Sequence, residues 1–144
     1  MASNPLVGTW RLISNHSKTA DGRTIYPYGT EVSGYITYTE DGRMCVAFGN
    51  ANRPRFPSGD RAGASVAEKA AAFDSFFAYA GTYDFLGDRV VHHVEVCQFP
   101  NWVGTDLVRF ATLEGDTVSL TTVPYVRAGV EQTGFLVWKR VSPA

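Results

Sequence analysis

The 144-residue chain lacks several features that mark large classes of proteins. Its formal net charge is -1, with 13 lysines and arginines against 14 aspartates and glutamates. No overall electrostatic field would therefore attract nucleic acid or an anionic membrane. The chain also has no run of about 18 apolar residues, the length that a membrane-spanning helix needs. We expect neither nucleic acid nor a membrane among its partners.

Cysteine is scarce, and its placement excludes the commonest uses of thiols. Cys45 and Cys97 have neither C-x-x-C nor zinc-type spacing, which favours two reduced thiols over a disulfide. The N-terminal sequence M-A-S-N-P-L-V-G has no positive region followed by an apolar run of signal-peptide length. These features predict a cytoplasmic protein.

The motifs of common catalytic and metal sites are also missing. There is no G-x-S-x-G, and no serine stands in a strand-to-helix turn, which argues against a Ser-His-Asp triad. His93 and Glu95 are spaced as two metal ligands on one strand, but beyond the neighbouring Asp84 no third ligand converges on them. We predict neither a metal nor another cofactor.

The chain does contain a succession of short β-strand signals separated by tight turns. The dipeptides at 41–42, 87–88 and 115–116 are Asp-Gly or Gly-Asp, which favour two-residue hairpins. With the short early strand counted conservatively, the pattern predicts one domain, residues 1–144, folded as an antiparallel up-and-down barrel of about eight strands. The predicted strands cover residues 6–15, 24–26, 35–39, 43–48, 79–86, 89–97, 107–114, 117–122 and 134–141.

One short helix interrupts this all-β pattern. Ser65 and Glu68 have the spacing of a capping box, which predicts that a helix begins there. The apolar positions that follow recur at helical spacing: Val66, Ala70, Phe73 and Phe77. We expect Phe73 and Phe77 to be buried, with the helix packed on or over the barrel. Whether the Gly- and Pro-rich segment 50–64 moves with the helix as a lid stays open.

Two-residue hairpins fix the strand register, and the register predicts which side chains face the interior. Around residues 87–88, Tyr83 faces His92 on the apolar side, and His93 faces outward. Around the last hairpin, Arg109 faces inward. His92 either forms a hydrogen bond with Tyr83 or a buried carbonyl, or transfers a proton of a substrate. Arg109 either pairs with an acid, lies at a wet rim, or binds a ligand oxyanion.

The two ends of the sequence resemble those of a known group of small barrels. L-V-G-T-W-R-L and L-V-W-K-R-V are similar to the first and last strands of the lipocalin and fatty-acid-binding group, the calycins. In that group a G-x-W on the first strand packs against a basic residue of the last strand. The resemblance therefore implies that Arg140, or else Lys139, covers Trp10.

Longer stretches resemble the intracellular lipocalin-like domain proteins of bacteria and fungi. These stretches are Y-P-Y-G, G-Y-I-T-Y-T-E-D-G, A-Y-A-G-T-Y and H-H-V-E-V-C-Q-F-P-N-W-V-G, so the resemblance spans nearly the whole chain. Some barrels of this kind resemble cyclases or isomerases of biosynthetic pathways. The resemblance thus implies a role in secondary metabolism.

An eight-stranded barrel is wide enough to hold one small ligand. We predict a barrel that binds a small apolar or aromatic ligand with an oxyanion or carbonyl group. In the enzyme version of this prediction the protein is a cofactor-free isomerase or cyclase, with His92 and Tyr83 as the catalytic candidates. The alternatives are a non-catalytic carrier and an interaction module with a filled barrel, and a homodimer stays open. Asn101 and Trp102 either form a packed corner or frame the cavity mouth. The predicted ligand-binding residues are Tyr35, Phe48, Tyr79, Arg109, Trp102 and Trp138.

Overall fold

A computed structural model describes residues 4–141 and contains ten β-strands, one α-helix and one short 3-10 turn. Along the strands of the barrel, inward apolar side chains alternate with outward polar ones. Residues 1–3 and 142–144 lie outside this range. The predictions for the N-terminal segment and for the two ends of the domain 1–144 therefore fall partly outside the described residues. The strands are β1 Gly8–Thr19, β2 Thr24–Ile25, β3 Val32–Tyr38, β4 Arg43–Asn50, β5 Phe76–Phe85, β6 Arg89–Cys97, β7 Asp106–Glu114, β8 Thr117–Thr122, β9 Tyr125–Arg127 and β10 Val130–Arg140. Helix α1 is Val66–Asp74, and the 3-10 turn is Pro100–Trp102.

Eight of these strands close into an antiparallel barrel, which confirms the predicted fold. Neighbouring strands pair in the order β1-β3-β4-β5-β6-β7-β8-β10, and β10 pairs back with β1. The short strands β2 and β9 extend β1 and β10 at one end. Strand β9 was not predicted. No helix in the range 4–141 has the length and apolar character to cross a membrane.

One end of the barrel is closed by tight hairpins and by the segment before β1. Trp10 is fully buried there, and its Nε1–H donates a 2.9 Å hydrogen bond to the carbonyl of Leu6. The Arg140 guanidinium lies 4.2 Å from the centre of the Trp10 ring system and donates to the carbonyls of Val7 and Pro5. The predicted cover of Trp10 by the last strand is therefore confirmed, with Arg140 as the covering residue.

The opposite end of the barrel is open and carries the longer connections. These are the β1–β3 connection with β2, the segment from β4 to α1, the corner between β6 and β7, and the β8–β10 connection with β9. Longer connections at one end are the usual place for a binding site on a rigid barrel. The fold therefore directs attention to this end.

Helix α1 begins as predicted but packs differently. The Ser65 hydroxyl accepts from the Glu68 N–H at 3.1 Å, and the Glu68 carboxylate accepts from the Ser65 N–H at 2.9 Å. The helix ends at Asp74, and Phe77 lies on β5, where it is half-buried. The prediction that Phe73 is buried is wrong, because this side chain borders an open cavity and stays 49% exposed.

Candidate functional site

A cavity of about 740 Å³ opens at the end of the barrel that carries the longer connections, and it reaches inward as far as Trp138. Its walls are largely aromatic, which gives a ligand large apolar surfaces. The polar and charged lining residues, besides tyrosines, are Asn15, Asp74, His92, Gln98, Arg109, Thr122 and Arg127. The aromatic lining residues are Tyr28, Phe48, Phe73, Phe76, Phe77, Tyr79, Phe99, Trp102, Tyr125 and Trp138.

The aromatic walls are held by edge-to-face contacts centred on Phe77. The ring of Phe77 lies 5.3 Å from Trp102, 5.8 Å from Tyr79 and 6.1 Å from Phe48, measured between centroids. Phe48 in turn meets Trp138 at 6.3 Å with perpendicular rings. Such contacts fix the orientation of each ring. The walls are therefore shaped before any ligand enters.

A buried hydrogen-bonded chain of three side chains crosses the barrel interior next to the aromatic wall. His92 is 1% exposed, and its Nε2 lies 2.7 Å from the Tyr38 hydroxyl. Its Nδ1 lies 2.7 Å from the hydroxyl of Tyr79, which lines the cavity. Strands β3, β5 and β6 supply one residue each. Both ring nitrogens are thus engaged by tyrosines, and His92 and Tyr79 are the two members that line the cavity.

The environment of this hydrogen-bonded chain keeps Tyr38, Tyr79 and His92 uncharged at neutral pH. Burial, and then the positive charge of Arg109, lower the pKa of His92 well below its usual value. Burial raises the pKa of Tyr38 well above 10 and also raises the pKa of Tyr79, against the opposing effect of Arg109. Neutral imidazole has one N–H and one bare nitrogen, so one tyrosine donates to His92 and the other accepts from it.

Arg109 contributes a positive charge to the same cavity. It lies on β7 opposite Val90 of β6 and Thr122 of β8, and it is half-buried. Its side chain makes a long hydrogen bond of 3.4 Å from Nη1 to the carbonyl of Val108, and it also interacts with the Tyr79 hydroxyl, which opposes the rise in the pKa of Tyr79. The inward orientation read from the hairpin register agrees with this position.

The structure brings most of the predicted site residues to one cavity. His92, Phe48, Tyr79, Arg109, Trp102 and Trp138 all line it. Trp102 frames its mouth, where it also meets Phe99 at 5.6 Å between ring centroids. Residues that the sequence did not single out include Tyr38, the second partner of His92. Tyr38 lies two positions after the buried Ile36 on the same strand, and this period-2 spacing was the signal that could have found it.

Two predicted site residues lie elsewhere. Tyr83 is opposite His92 on the neighbouring strand, but its hydroxyl donates to the carbonyl of Thr39 and accepts from Asn4, away from the cavity. The predicted pairing of Tyr83 with His92 across the hairpin is confirmed, but the two side chains form no hydrogen bond and Tyr83 does not line the cavity. Tyr35 lies on the outer face, 49% exposed, with the Arg11 guanidinium 6.0 Å from its ring centre. Successive side chains of a strand point to opposite faces, and because Tyr35 points outward it cannot reach the interior.

The outer face of the same wall carries a second histidine with two acidic partners. Nδ1 of His93 lies 2.7 Å from Asp106 and Nε2 lies 2.8 Å from Asp84. These hydrogen bonds, from Asp106 first and then Asp84, raise the pKa of His93. Glu95 pairs instead with Arg43 at 3.3 Å. In the described part of the chain, no three His, Cys, Asp or Glu side chains converge as metal ligands.

Comparison with known proteins adds to this geometry. The profile of the family described as the lipocalin-like domain matches residues 7–141, nearly the whole chain. The chain belongs to the lipocalin-like domain family. A relative named 4'-hydroxy-3'-methoxypropiophenone carrier protein ppsC, from Aspergillus oryzae, is 37% identical over 83 residues, covering 51% of this chain and 75% of that protein. No solved structure matches the lipocalin-like chain.

Proposed function

We propose that this lipocalin-like protein binds one small, largely apolar aromatic compound inside its barrel and acts as a carrier for it. The observation that carries the proposal is the cavity of about 740 Å³ with aromatic walls. Its volume falls within the roughly 300–1,000 Å³ typical of small-molecule pockets. A relative named as a carrier of an aryl ketone supports the same function.

The cavity also argues against the interaction-module alternative. A barrel that acts only through its outer surface would have no reason to leave its interior unfilled, because close packing stabilises a core. Here, Leu120, Leu136 and Thr122 border open volume instead of side chains from the opposite wall. The interior is therefore the surface on which we expect recognition to take place.

The bonding of His92 favours a carrier over an enzyme. A general base needs a free nitrogen within hydrogen-bond reach of the substrate proton. Both nitrogens of His92 are occupied by Tyr38 and Tyr79, and the side chain is only 1% exposed. A cofactor-free isomerase or cyclase is the second candidate, because Tyr79 lines the cavity and its hydroxyl could pass a proton to His92.

Filling the cavity tests the binding proposal. Leu136→Trp places an indole into the open volume beside Leu120, and Phe110→Trp adds the same group on the outer face, where Phe110 is 40% exposed. The neutral probe N-phenyl-1-naphthylamine, whose fluorescence rises in apolar surroundings, should bind the parent and Phe110→Trp with equal affinity. Leu136→Trp should lose at least tenfold in affinity. Equal binding to both variants would place the probe outside the barrel and contradict the proposal.

Turnover separates the carrier from the enzyme. We expect 4'-hydroxy-3'-methoxypropiophenone to displace the probe and to be recovered unchanged by liquid chromatography after prolonged incubation. Conversion of the compound by the parent protein and not by Tyr79→Phe would favour the enzyme. The cytoplasmic location and the homodimer stay predictions, which cell fractionation and analytical ultracentrifugation test.

A further inference from the structure

Arg109 carries a charge that nothing in the described structure neutralises. No carboxylate among residues 4–141 lies within the 4.0 Å of its guanidinium that defines an ion pair. Its long hydrogen bond to Val108 and its interaction with the neutral Tyr79 hydroxyl leave most of its five N–H groups without a protein acceptor. A guanidinium beside apolar walls is costly unless it meets an anion or water. The cavity therefore has a positive charge at Arg109 with no negative protein group to pair with it.

The other ionisable groups around the cavity do not supply the missing negative charge. Tyr38, Tyr79 and His92 face Arg109 from β3, β5 and β6, and all three are neutral at pH 7 for the reasons given above. Asp74 and Arg127 both act on Tyr28 at the mouth, where the Arg127 guanidinium lies 5.5 Å from the Tyr28 ring centre. These two charges oppose each other there. Deeper in the cavity, the charge of Arg109 is unopposed.

The hydrogen-bonded chain can present a proton to a ligand at the same place. When the Tyr38 hydroxyl donates to Nε2 of His92, the Nδ1–H donates to the Tyr79 oxygen. The Tyr79 proton is then not used by His92 and can be donated to a ligand in the cavity that Tyr79 lines. A negative oxygen near Arg109 favours this direction of the chain, because each donated bond strengthens the next one. Arg109 and Tyr79 together form a two-donor site.

We propose that the cavity binds phenols in their ionised form, with the phenolate oxygen held by Arg109 and the Tyr79 hydroxyl. The ring of the ligand would lie between the aromatic walls that Phe48 and Phe77 help to form. On binding, the phenol O–H bond breaks and its proton passes to solvent, so the site gains one negative charge. This inference rests on the proposed binding of an aromatic compound and names its chemical class.

Acyl phenols suit such a site well. A carbonyl group para to the hydroxyl spreads the phenolate charge, so these phenols ionise more readily than tyrosine. The compound in the relative's name contains both groups on one ring. Arginine stays protonated across the whole working range of pH, so the site keeps its preference for the anion.

The ionisation of a bound phenol tests the proposal directly. The phenolate of 4'-hydroxy-3'-methoxypropiophenone absorbs at longer wavelength than the phenol, so its absorbance against pH gives the pKa of the free and bound compound. We expect the bound phenol to ionise at least one pH unit lower, which corresponds to at least tenfold tighter binding of the phenolate. Arg109→Leu should abolish this shift, and Tyr79→Phe should reduce it.

Two controls isolate the charge. Arg89→Leu removes the same charge from the outer end of β6, where Arg89 pairs with Asp88, and should leave the shift unchanged. The methyl ether 3',4'-dimethoxypropiophenone cannot ionise and should bind the parent and Arg109→Leu within twofold of each other. Melting temperatures should show that Arg109→Leu is folded, and Arg109→Gln repeats the measurement if it is not.

Several results would overturn the inference without touching the proposed function. These are an unshifted ionisation in the parent, a shift that persists in Arg109→Leu, and failure of the phenol to bind although N-phenyl-1-naphthylamine does. Failure of the neutral probe to bind in the cavity would instead remove the proposed function itself.

Discussion

The wall formed by β5, β6 and β7 carries one histidine on each face, and the two neighbours differ in nearly every property. On the inner face, His92 is held by two tyrosine hydroxyls at 2.7 Å. On the outer face, His93 is held by two carboxylates, Asp106 and Asp84, at 2.7 and 2.8 Å. The hydrogen bonds are alike in number and length. Burial and the charge of the partners therefore decide whether each ring takes up a proton.

The difference separates a structural role from a titrating one. Burial lowers the pKa of His92, so the inner ring stays neutral and can link two tyrosines beside the cavity. Carboxylates raise the pKa of His93, so the outer ring gains charge readily but remains in contact with solvent. A single step along a strand produces both environments, because successive side chains point to opposite faces.

Removing the inner ring should have the largest effect. His92→Leu leaves the buried Tyr38 hydroxyl without its hydrogen-bond partner, whereas Tyr79 can turn to water in the cavity. We expect a loss of about 1–3 kcal/mol in the free energy of unfolding, the cost of one orphaned buried group. His93→Leu, the same change on the outer face, should cost less than about 1 kcal/mol. Urea denaturation midpoints compare the two, and equal losses would remove the distinction between the faces.

Acid should destabilise the protein through the inner ring. The folded-state pKa of His92 is depressed, so below about pH 6.5 the unfolded chain binds a proton there that the folded chain does not. The free energy of unfolding therefore falls by up to about 1.4 kcal/mol for each pH unit below 6.5, and this destabilisation is absent above that pH. The difference in unfolding free energy between the parent and His92→Gln, followed from pH 7.5 to 5, measures it. A difference that is constant with pH would contradict the prediction.

The outer ring should produce the smallest effect, with the opposite sign. The folded-state pKa of His93 is raised, so its stabilisation is complete below about pH 6.5 and is lost as pH rises through the folded-state value. Solvent screening limits the contribution to less than about 1 kcal/mol. Proton NMR titration of the His93 ring should give a pKa above that of a free histidine. Asp106→Asn should lower it, and a titration at the ordinary value would show that the two carboxylates do not act on the ring.

The register of two hairpins could be predicted from the sequence because their turns have the expected length. Gly87 and Gly115 take positive φ values of 95° and 58°, and the flanking strands pair as two-residue turns require. The inward direction of His92 and Arg109 follows from that pairing. The partners of His92 do not follow, because Tyr38 meets it across the barrel and not along a neighbouring strand.

The hairpin between β3 and β4 shows where the same reasoning failed. A two-residue turn at Asp41-Gly42 would pair Tyr35 with Phe48, and both would then line the cavity. The turn is longer, with positive φ at Gly42 but not at Asp41, and Tyr35 pairs with Ala47. A shift of one residue reverses the face of every side chain on a strand. The dipeptide indicates a turn, but it does not fix the number of residues in it.

Helix α1 shows a different limit of the sequence. Its apolar stripe indicated a packed face, but no residue of the helix is buried, and Phe73 borders the cavity mouth. A periodic pattern states which side of a helix is apolar, and it does not state whether protein or a ligand covers that side. The long-range geometry of the open end decides this.

The position of Arg140 has a consequence for handling the protein. Its hydrogen bonds to the carbonyls of Val7 and Pro5, with the bond from the Val141 N–H to the Thr9 carbonyl, hold the first and last described segments together at the closed end. Both lie a full barrel length from the mouth. A sensor chip that captures the protein through this closed end would thus hold every molecule with its opening toward the flowing sample, ready for direct measurement of ligand exchange.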